Sequence, residues 1–162
     1  MKIGRIEYAI PEQILGRMSF VFAELQQADG SEISDVLYPI AVGEDLHDFN
    51  GIFPELDGMS PATVKAEFLK SRRKPDSTGT EGLTLQVSNP TDKLAFFVRV
   101  RLREESRTLR TAYRDNYISL LSGQSKPVVV RVESKETPLA RLHFEVACWN
   151  CQPQKLELDF AK

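Results

Sequence analysis

In the stretch KLAFFVRVRLRE, residues 93–104, apolar and charged side chains alternate with a period of two. Phe96, Val98, Val100 and Leu102 share one side, and Phe97, Arg99, Arg101 and Arg103 share the other. Successive side chains of a strand point to opposite faces, so this pattern describes a strand with one buried face. KPVVVRVES repeats it, with Val128, Val130 and Val132 opposite Arg131 and Glu133. In LHFEVACW, Leu142, Phe144, Val146 and Cys148 alternate with His143, Glu145, Ala147 and Trp149. GLTLQVSN adds Leu83, Leu85 and Val87, and VKAEFL adds Val64, Ala66 and Phe68. SFVFAELQQ and VLYPIAV are more continuously apolar, as strands buried on both faces or lying at a domain contact are; Asp29-Gly30 between them signals a hairpin. Asn89–Asp92 and Ser122–Ser125 carry turn chemistry. No long segment with a 3.6-residue period separates the strands, which argues against parallel β-α-β units. The expectation is an all-β chain, an antiparallel β-sandwich of seven to eight short strands.

A chain of 162 residues fits one domain and can bury a core without metals or disulfides. Residues 1–16 hold one short strand candidate ended by Pro11, an N-terminal extension or linker strand; the sandwich is expected over 17–162. Two segments break the rhythm. Residues 43–61 form a long connection carrying Phe49, Phe53 and Leu56, with room for a turn of helix, and residues 71–82 are polar and Gly/Pro-bearing. Lys plus Arg is 21 against 23 for Asp plus Glu, so the basic surplus of a nucleic-acid binder is missing. No apolar run approaches the length that spans a bilayer, and Met1–Ile10 reads as neither anchor nor cleaved leader.

Chemistry could reside in RDNYISLLSGQS, residues 114–125. Ser119 or Ser125 would need a base, but the chain has only His47 and His143 and no G-x-S-x-G elbow. Asp115 with Glu104 or Glu145 could make a carboxylate pair for sugar hydrolysis, yet at 27% charged residues such pairs arise by chance. A structural corner explains more. Asp115 and Asn116 would bond amides in the turn. Tyr117 would pack its ring and send its hydroxyl to the backbone, as tyrosine corners do in immunoglobulin-like sandwiches. Leu120 and Leu121 would anchor the turn, and Gly123 would free the backbone.

Cys148 and Cys151 follow a strand pattern and run into Pro153, so no helix N-terminus activates them; zinc would find only two histidines to complete its ligands. They are expected to be small, mostly buried and unbridged, because residues three apart on an extended strand point to opposite faces. The row Arg99, Arg101, Arg103 could hold an anion or pair with Glu104, Glu105, Glu133 and Glu145. Trp149, the single tryptophan, could stack on a sugar or pack on the core. No catalytic residue, metal or cofactor is assigned.

NPTDKLAFFVRVRL, YRDNYISLLSGQSKPVVVRV and FEVACWNCQPQKLEL together resemble the C-terminal immunoglobulin-like domain of glycoside hydrolase family 2, in the pattern of exo-β-D-glucosaminidases and β-mannosidases. Asn89 and Leu94–Arg99 match the first part; Asp115, Asn116, Tyr117, Ser119, Leu120 and Gly123 the second; Trp149 and Asn150 the third. Ser122, Gln124 and Cys148 replace the usual proline, glutamate and glycine. The resemblance covers about residues 17–160. It implies an immunoglobulin-like fold and a non-catalytic accessory role, since the family's two catalytic glutamates sit on a (β/α)₈ barrel of about 250 residues. The implied partners are the remaining domains of a parent enzyme that cleaves β-linked glucosaminide, mannoside or galactoside ends and is expected in the periplasm or outside the cell. Two alternatives remain. One is a carbohydrate-binding module acting through Trp149, Phe49 or Phe53; the other is a free-standing adhesive or interaction sandwich. An exposed apolar patch would favour the accessory domain, and a planar, solvent-facing aromatic pair the carbohydrate module.

Overall fold

The computed structural model describes residues 18–41, 52–69, 80–103, 109–134 and 141–159. The chain divides into two compact units, Met1–Gly58 and Met59–Lys162. The extension over 1–16 lies outside the described residues.

The first unit contains an antiparallel hairpin, β1 (Met18–Gln26) with β2 (Glu32–Ala41), and a six-residue helix α1 (Ile52–Asp57). The Asp29 carboxylate accepts hydrogen bonds from the Ser31 amide at 2.9 Å and the Ser31 hydroxyl at 2.6 Å, and Gly30 takes φ +84°. These bonds favour the charged carboxylate and hold its pKa below the ordinary aspartate value. The Met18 amide donates to Glu55 at 2.7 Å, tying α1 to the start of β1. Cross-strand pairing puts Val21 opposite Tyr38, Ala23 opposite Val36 and Leu25 opposite Ser34 on one face. Val21, Leu25, Val36 and Tyr38 on that face are exposed. Burial on both faces, one of the two readings of these continuously apolar runs, is therefore not realised.

The second unit is an immunoglobulin-like antiparallel β-sandwich of eight strands among the described residues. One sheet has the order β3 (Lys65–Phe68), β4 (Thr80–Ser88), β8 (Ser125–Ser134), β6 (Leu109–Arg114). The other has the order β10 (Gln154–Asp159), β9 (Arg141–Ala147), β5 (Ala95–Leu102), β7 (Ile118–Leu120). The alternation seen in the sequence becomes the core. Leu85, Val87, Val128, Val130 and Val132 from one sheet meet Val98, Val100, Leu102, Leu142, Phe144 and Val146 from the other. Phe68 and Phe144 join the sheets edge to face at 5.5 Å. Burying each such side chain contributes about 1.5–3 kcal/mol, which suffices to fix the register because a one-residue slip would expose a whole face.

The alternation breaks on β5. Between Ala95, opposite Leu120, and Val98, opposite Ile118, β5 holds two residues where β7 holds one, and Phe97 has φ +57°. At this bulge Phe96 is buried outside the core cluster, its ring 5.8 Å from that of Phe97, which is left half exposed.

Candidate functional site

The loops at one end of the sheet β10-β9-β5-β7 are held by three asparagines that serve as backbone partners. Asn89, fully buried, donates through Nδ2 to the carbonyls of Lys93 (2.6 Å), Leu120 (2.9 Å) and Leu121 (3.3 Å). Its Oδ1 accepts from the Thr91 amide and hydroxyl at 3.1 and 2.6 Å. Asn150 donates to the carbonyls of Ser60 and Leu94 at 2.7 and 2.8 Å and accepts from the Phe96 amide at 3.1 Å. Asn116 accepts from the Val100 amide at 2.8 Å and donates to the Val100 carbonyl at 2.9 Å, as a neighbouring strand would.

The corner after β6 places its residues differently from expectation in one respect. Leu120 is buried, and Gly123 takes φ +73° and donates its amide to the Asn89 carbonyl at 2.9 Å. Asp115 is exposed, with φ +59° and the Arg114 guanidinium at 3.4 Å. Tyr117, expected to pack inward, is 56% exposed. The hydroxyl bonded to the backbone is that of Tyr113, which accepts the Leu102 amide at 2.8 Å while its ring packs on the core. Tyr113 ends an alternating strand and so points inward, whereas Tyr117 lies past the turn with φ +60°. The tyrosine four residues upstream of Tyr117 was the available signal.

Tyr117 meets Phe97 instead, with ring centroids 5.2 Å apart and planes at 48°. Phe97 is 46% exposed. Left-handed backbone at these two bulky residues costs about 1–3 kcal/mol each and persists only where the surroundings impose it. Here the Phe97 amide is anchored on the Ser119 hydroxyl at 3.2 Å. On the other side of β5, the Trp149 amide donates to the Phe96 carbonyl at 2.8 Å, and the Trp149 side chain is 45% exposed. Beside Trp149 opens a cleft of about 430 Å³ lined by Met59, Pro61, Ala62, Thr63, Asn150, Cys151 and Gln152. Phe49 lies outside the described residues; Phe53 sits on α1, and its side chain lies outside them too.

Cys148 and Cys151 form a disulfide across a Cα separation of 5.2 Å, which corrects the expectation of free thiols. β9 ends at Ala147, so the chain is turning rather than extended between them. The same turn joins Cys151 to Ala62 in an isolated parallel bridge, with the Ala62 amide on the Asn150 carbonyl at 2.8 Å.

The carboxylates do not gather for hydrolysis. Asp115 faces Arg114 and Glu145 faces Arg103, so each meets a guanidinium; Glu104 lies outside the described residues. On the same sheet Arg141 pairs with Glu157 at 2.9 Å and Asp159 at 3.6 Å. Arg99 and Arg101 are exposed and have no ion-pair partner among the described residues. Ser119 is spent on the Phe97 amide, and His143 lies near Glu157 at 3.6 Å on the exposed face. Among the described residues no three His, Cys, Asp or Glu side chains come together to hold a metal ion, and no helix is long and apolar enough to cross a membrane.

Two antiparallel four-stranded sheets over one core, with loops pinned by side-chain amides, define the chain's class as an immunoglobulin-like β-sandwich module. Residues 48–151, well over half of the chain, match the family model of the exo-β-D-glucosaminidase Ig-fold domain. The chain belongs to that family, the immunoglobulin-like domain of family 2 glycoside hydrolases. No curated protein matches it. Among solved structures, it is similar to Amycolatopsis orientalis exo-chitosanase CsxA, with 17% identity and a TM-score of 0.65. It is likewise similar to the complex of that enzyme with PNP-β-D-glucosamine, with 16% identity and a TM-score of 0.68. Each likeness covers 87% of this chain and 18% of the enzyme chain, so the chain spans under a fifth of these relatives. At this identity they speak for the fold.

Proposed function

We propose that this chain is a non-catalytic accessory domain of a family 2 β-glycosidase of glucosaminidase, mannosidase or galactosidase type. It docks on the remaining domains of the enzyme and supports the substrate cleft. The carrying observation is the exposed hairpin face of Val21, Leu25, Val36 and Tyr38. A two-stranded ribbon is marginal alone, and an ordered apolar face on it is the kind of surface a larger partner covers. The family match supplies the chemistry of that partner. The disulfide suits an exported enzyme, because such bonds persist in oxidising compartments.

The test is association with the catalytic portion of an exo-β-D-glucosaminidase, followed by sedimentation. The expected result is a complex that Tyr38→Glu and Val36→Glu weaken at least tenfold, about 1.4 kcal/mol or more, by placing a charge in the interface. The chain alone should not hydrolyse nitrophenyl β-D-glucosaminide. Turnover by the chain that vanishes on mutating one carboxylate would refute the accessory reading, and an unaffected complex would refute the hairpin as its docking face.

A further inference from the structure

Three exposed aromatic side chains stand on consecutive backbone neighbours at one end of the sheet β10-β9-β5-β7. Trp149 follows β9, Phe97 sits on the β5 bulge, and Tyr117 precedes β7. A backbone hydrogen bond links Trp149 to the residue before Phe97, and a ring contact links Phe97 to Tyr117. The Trp149 amide bonds to Phe96 at 2.8 Å, and the Phe97 and Tyr117 rings are 5.2 Å apart. Neighbouring strands lie about 4.8 Å apart, so the row crosses about 10 Å of sheet. At its Trp149 end lies the cleft of about 430 Å³, within the size range of small-ligand sites, with Thr63 and Gln152 offering a hydroxyl and an amide.

We propose that this aromatic row and its cleft bind a neutral β-linked oligosaccharide. The apolar C–H face of a pyranose stacks on an aromatic face, and its hydroxyls take the hydroxyl and amide partners in the cleft. A protein partner would call for a continuous apolar patch, but this row has Ser119 on the Phe97 amide, Arg99 two residues further along β5, and Thr63 and Gln152 in its cleft. The 48° tilt between Phe97 and Tyr117 departs from the planar pair expected of a carbohydrate module and makes the row a bent support, suited to a twisted soluble chain rather than to a flat crystalline polymer. Arg99 and Arg101 follow Phe97 on the same face with no ion-pair partner among the described residues. Their positive charge selects against a protonated oligoglucosamine and in favour of its N-acetylated, neutral counterpart. The site lies wholly within residues 59–162 and includes no hairpin residue, and its test reads glycan binding first. Either proposal can therefore fail without the other.

Trp149 is the only tryptophan in the chain, so its fluorescence reports the site directly. The full chain is titrated with N-acetylchitohexaose and, separately, with the fully deacetylated hexamer at a pH where its amines are charged. Expected results are a saturable change in Trp149 emission with the N-acetylated sugar and weaker binding of the cationic one. Calorimetry should show Trp149→Ala, and separately Phe97→Ala, lowering affinity by about tenfold or more, while Trp149→Phe keeps most of it. The double change Arg99→Gln with Arg101→Gln should narrow the preference for the neutral sugar. Thermal unfolding of each variant checks that the fold is kept. No saturable signal at millimolar sugar, or affinity unchanged in Trp149→Ala, overturns the proposal. Loss of binding to the catalytic portion in these variants, with no glycan binding by the parent chain, also overturns it and makes the row a protein-docking face.

Discussion

Replacing Asn89 by alanine should unfold the sandwich at markedly lower denaturant. The side chain is fully buried, and its amide nitrogen serves three carbonyls while its oxygen serves Thr91 twice. Lys93 and Thr91 are solvent-accessible, so water can replace their bonds at little net cost. The carbonyl of fully buried Leu120, which pairs with Ala95 on β5, would lose the Asn89 amide with no water to replace it, leaving part of its accepting capacity unsatisfied. An unsatisfied buried acceptor costs about 1–3 kcal/mol, and loosening the two turns that Asn89 joins adds about 1 kcal/mol. The expected loss is therefore about 2–4 kcal/mol, measured by urea unfolding followed by circular dichroism. Asn89→Asp sharpens the argument. Its carboxylate keeps the bonds from Thr91 but turns an oxygen toward three carbonyl oxygens, and burial adds to the penalty on the charge. Both effects raise the folded pKa of the new acid. The folded state then binds its proton more tightly than the unfolded chain, so stability is gained as pH falls and lost as it rises through the folded pKa. Asn89→Asp should thus be less stable than Asn89→Ala at neutral pH and recover toward about pH 5. A loss under about 0.5 kcal/mol for alanine, or no pH dependence for aspartate beyond that of the parent chain, would refute the account.

Tyr113→Phe should lose about 0.5–1.5 kcal/mol, whereas Tyr117→Phe should leave urea unfolding unchanged, because only the first hydroxyl accepts a backbone amide. Without reductant, the denatured chain should give no reaction with Ellman's reagent and two thiols after reduction; two thiols at the outset would remove the Cys148–Cys151 bond. Asp29 has a lowered pKa, so its contribution to the hairpin turn is present above the ordinary carboxylate range and is lost as pH falls through the folded value. The protection factors of the Gly30 and Ser31 amides, which correct for the intrinsic slowing of exchange in acid, should fall in acid, and Asp29→Ala should abolish that dependence.

The sandwich was legible because its inward residues are Val, Leu and Phe at a strict period, as on β5, β8 and β9. β6 was not, because one of its inward positions is Thr111 and an outward one is Ala112, which blurs the alternation. The bulge at Phe96–Phe97 hides in the sequence for a related reason: two phenylalanines in a row read equally well on either face. Trp149 could be singled out by type alone. That Phe97 and Tyr117 stand beside one another depends on this bulge and on two left-handed residues, which no local propensity of Phe or Tyr announces. The disulfide required knowing that β9 stops at Ala147, while the only strong stop signal is Pro153, six residues later.

β7 is only three residues long and pairs with β5 at Ala95 and Val98, so among the described residues the rest of that flank has no strand beside it. The Asn116 amide occupies the amide and carbonyl of Val100, and the Tyr113 hydroxyl occupies the amide of Leu102. A bare run of strand backbone is a template onto which another chain can add and from which aggregates grow. Here two side chains from the neighbouring corner stand where that intruder would pair. Their loss would be felt first as a loss of colloidal behaviour: variants at Asn116 and Tyr113 would remain folded in dilute solution and assemble edge to edge as concentration rises.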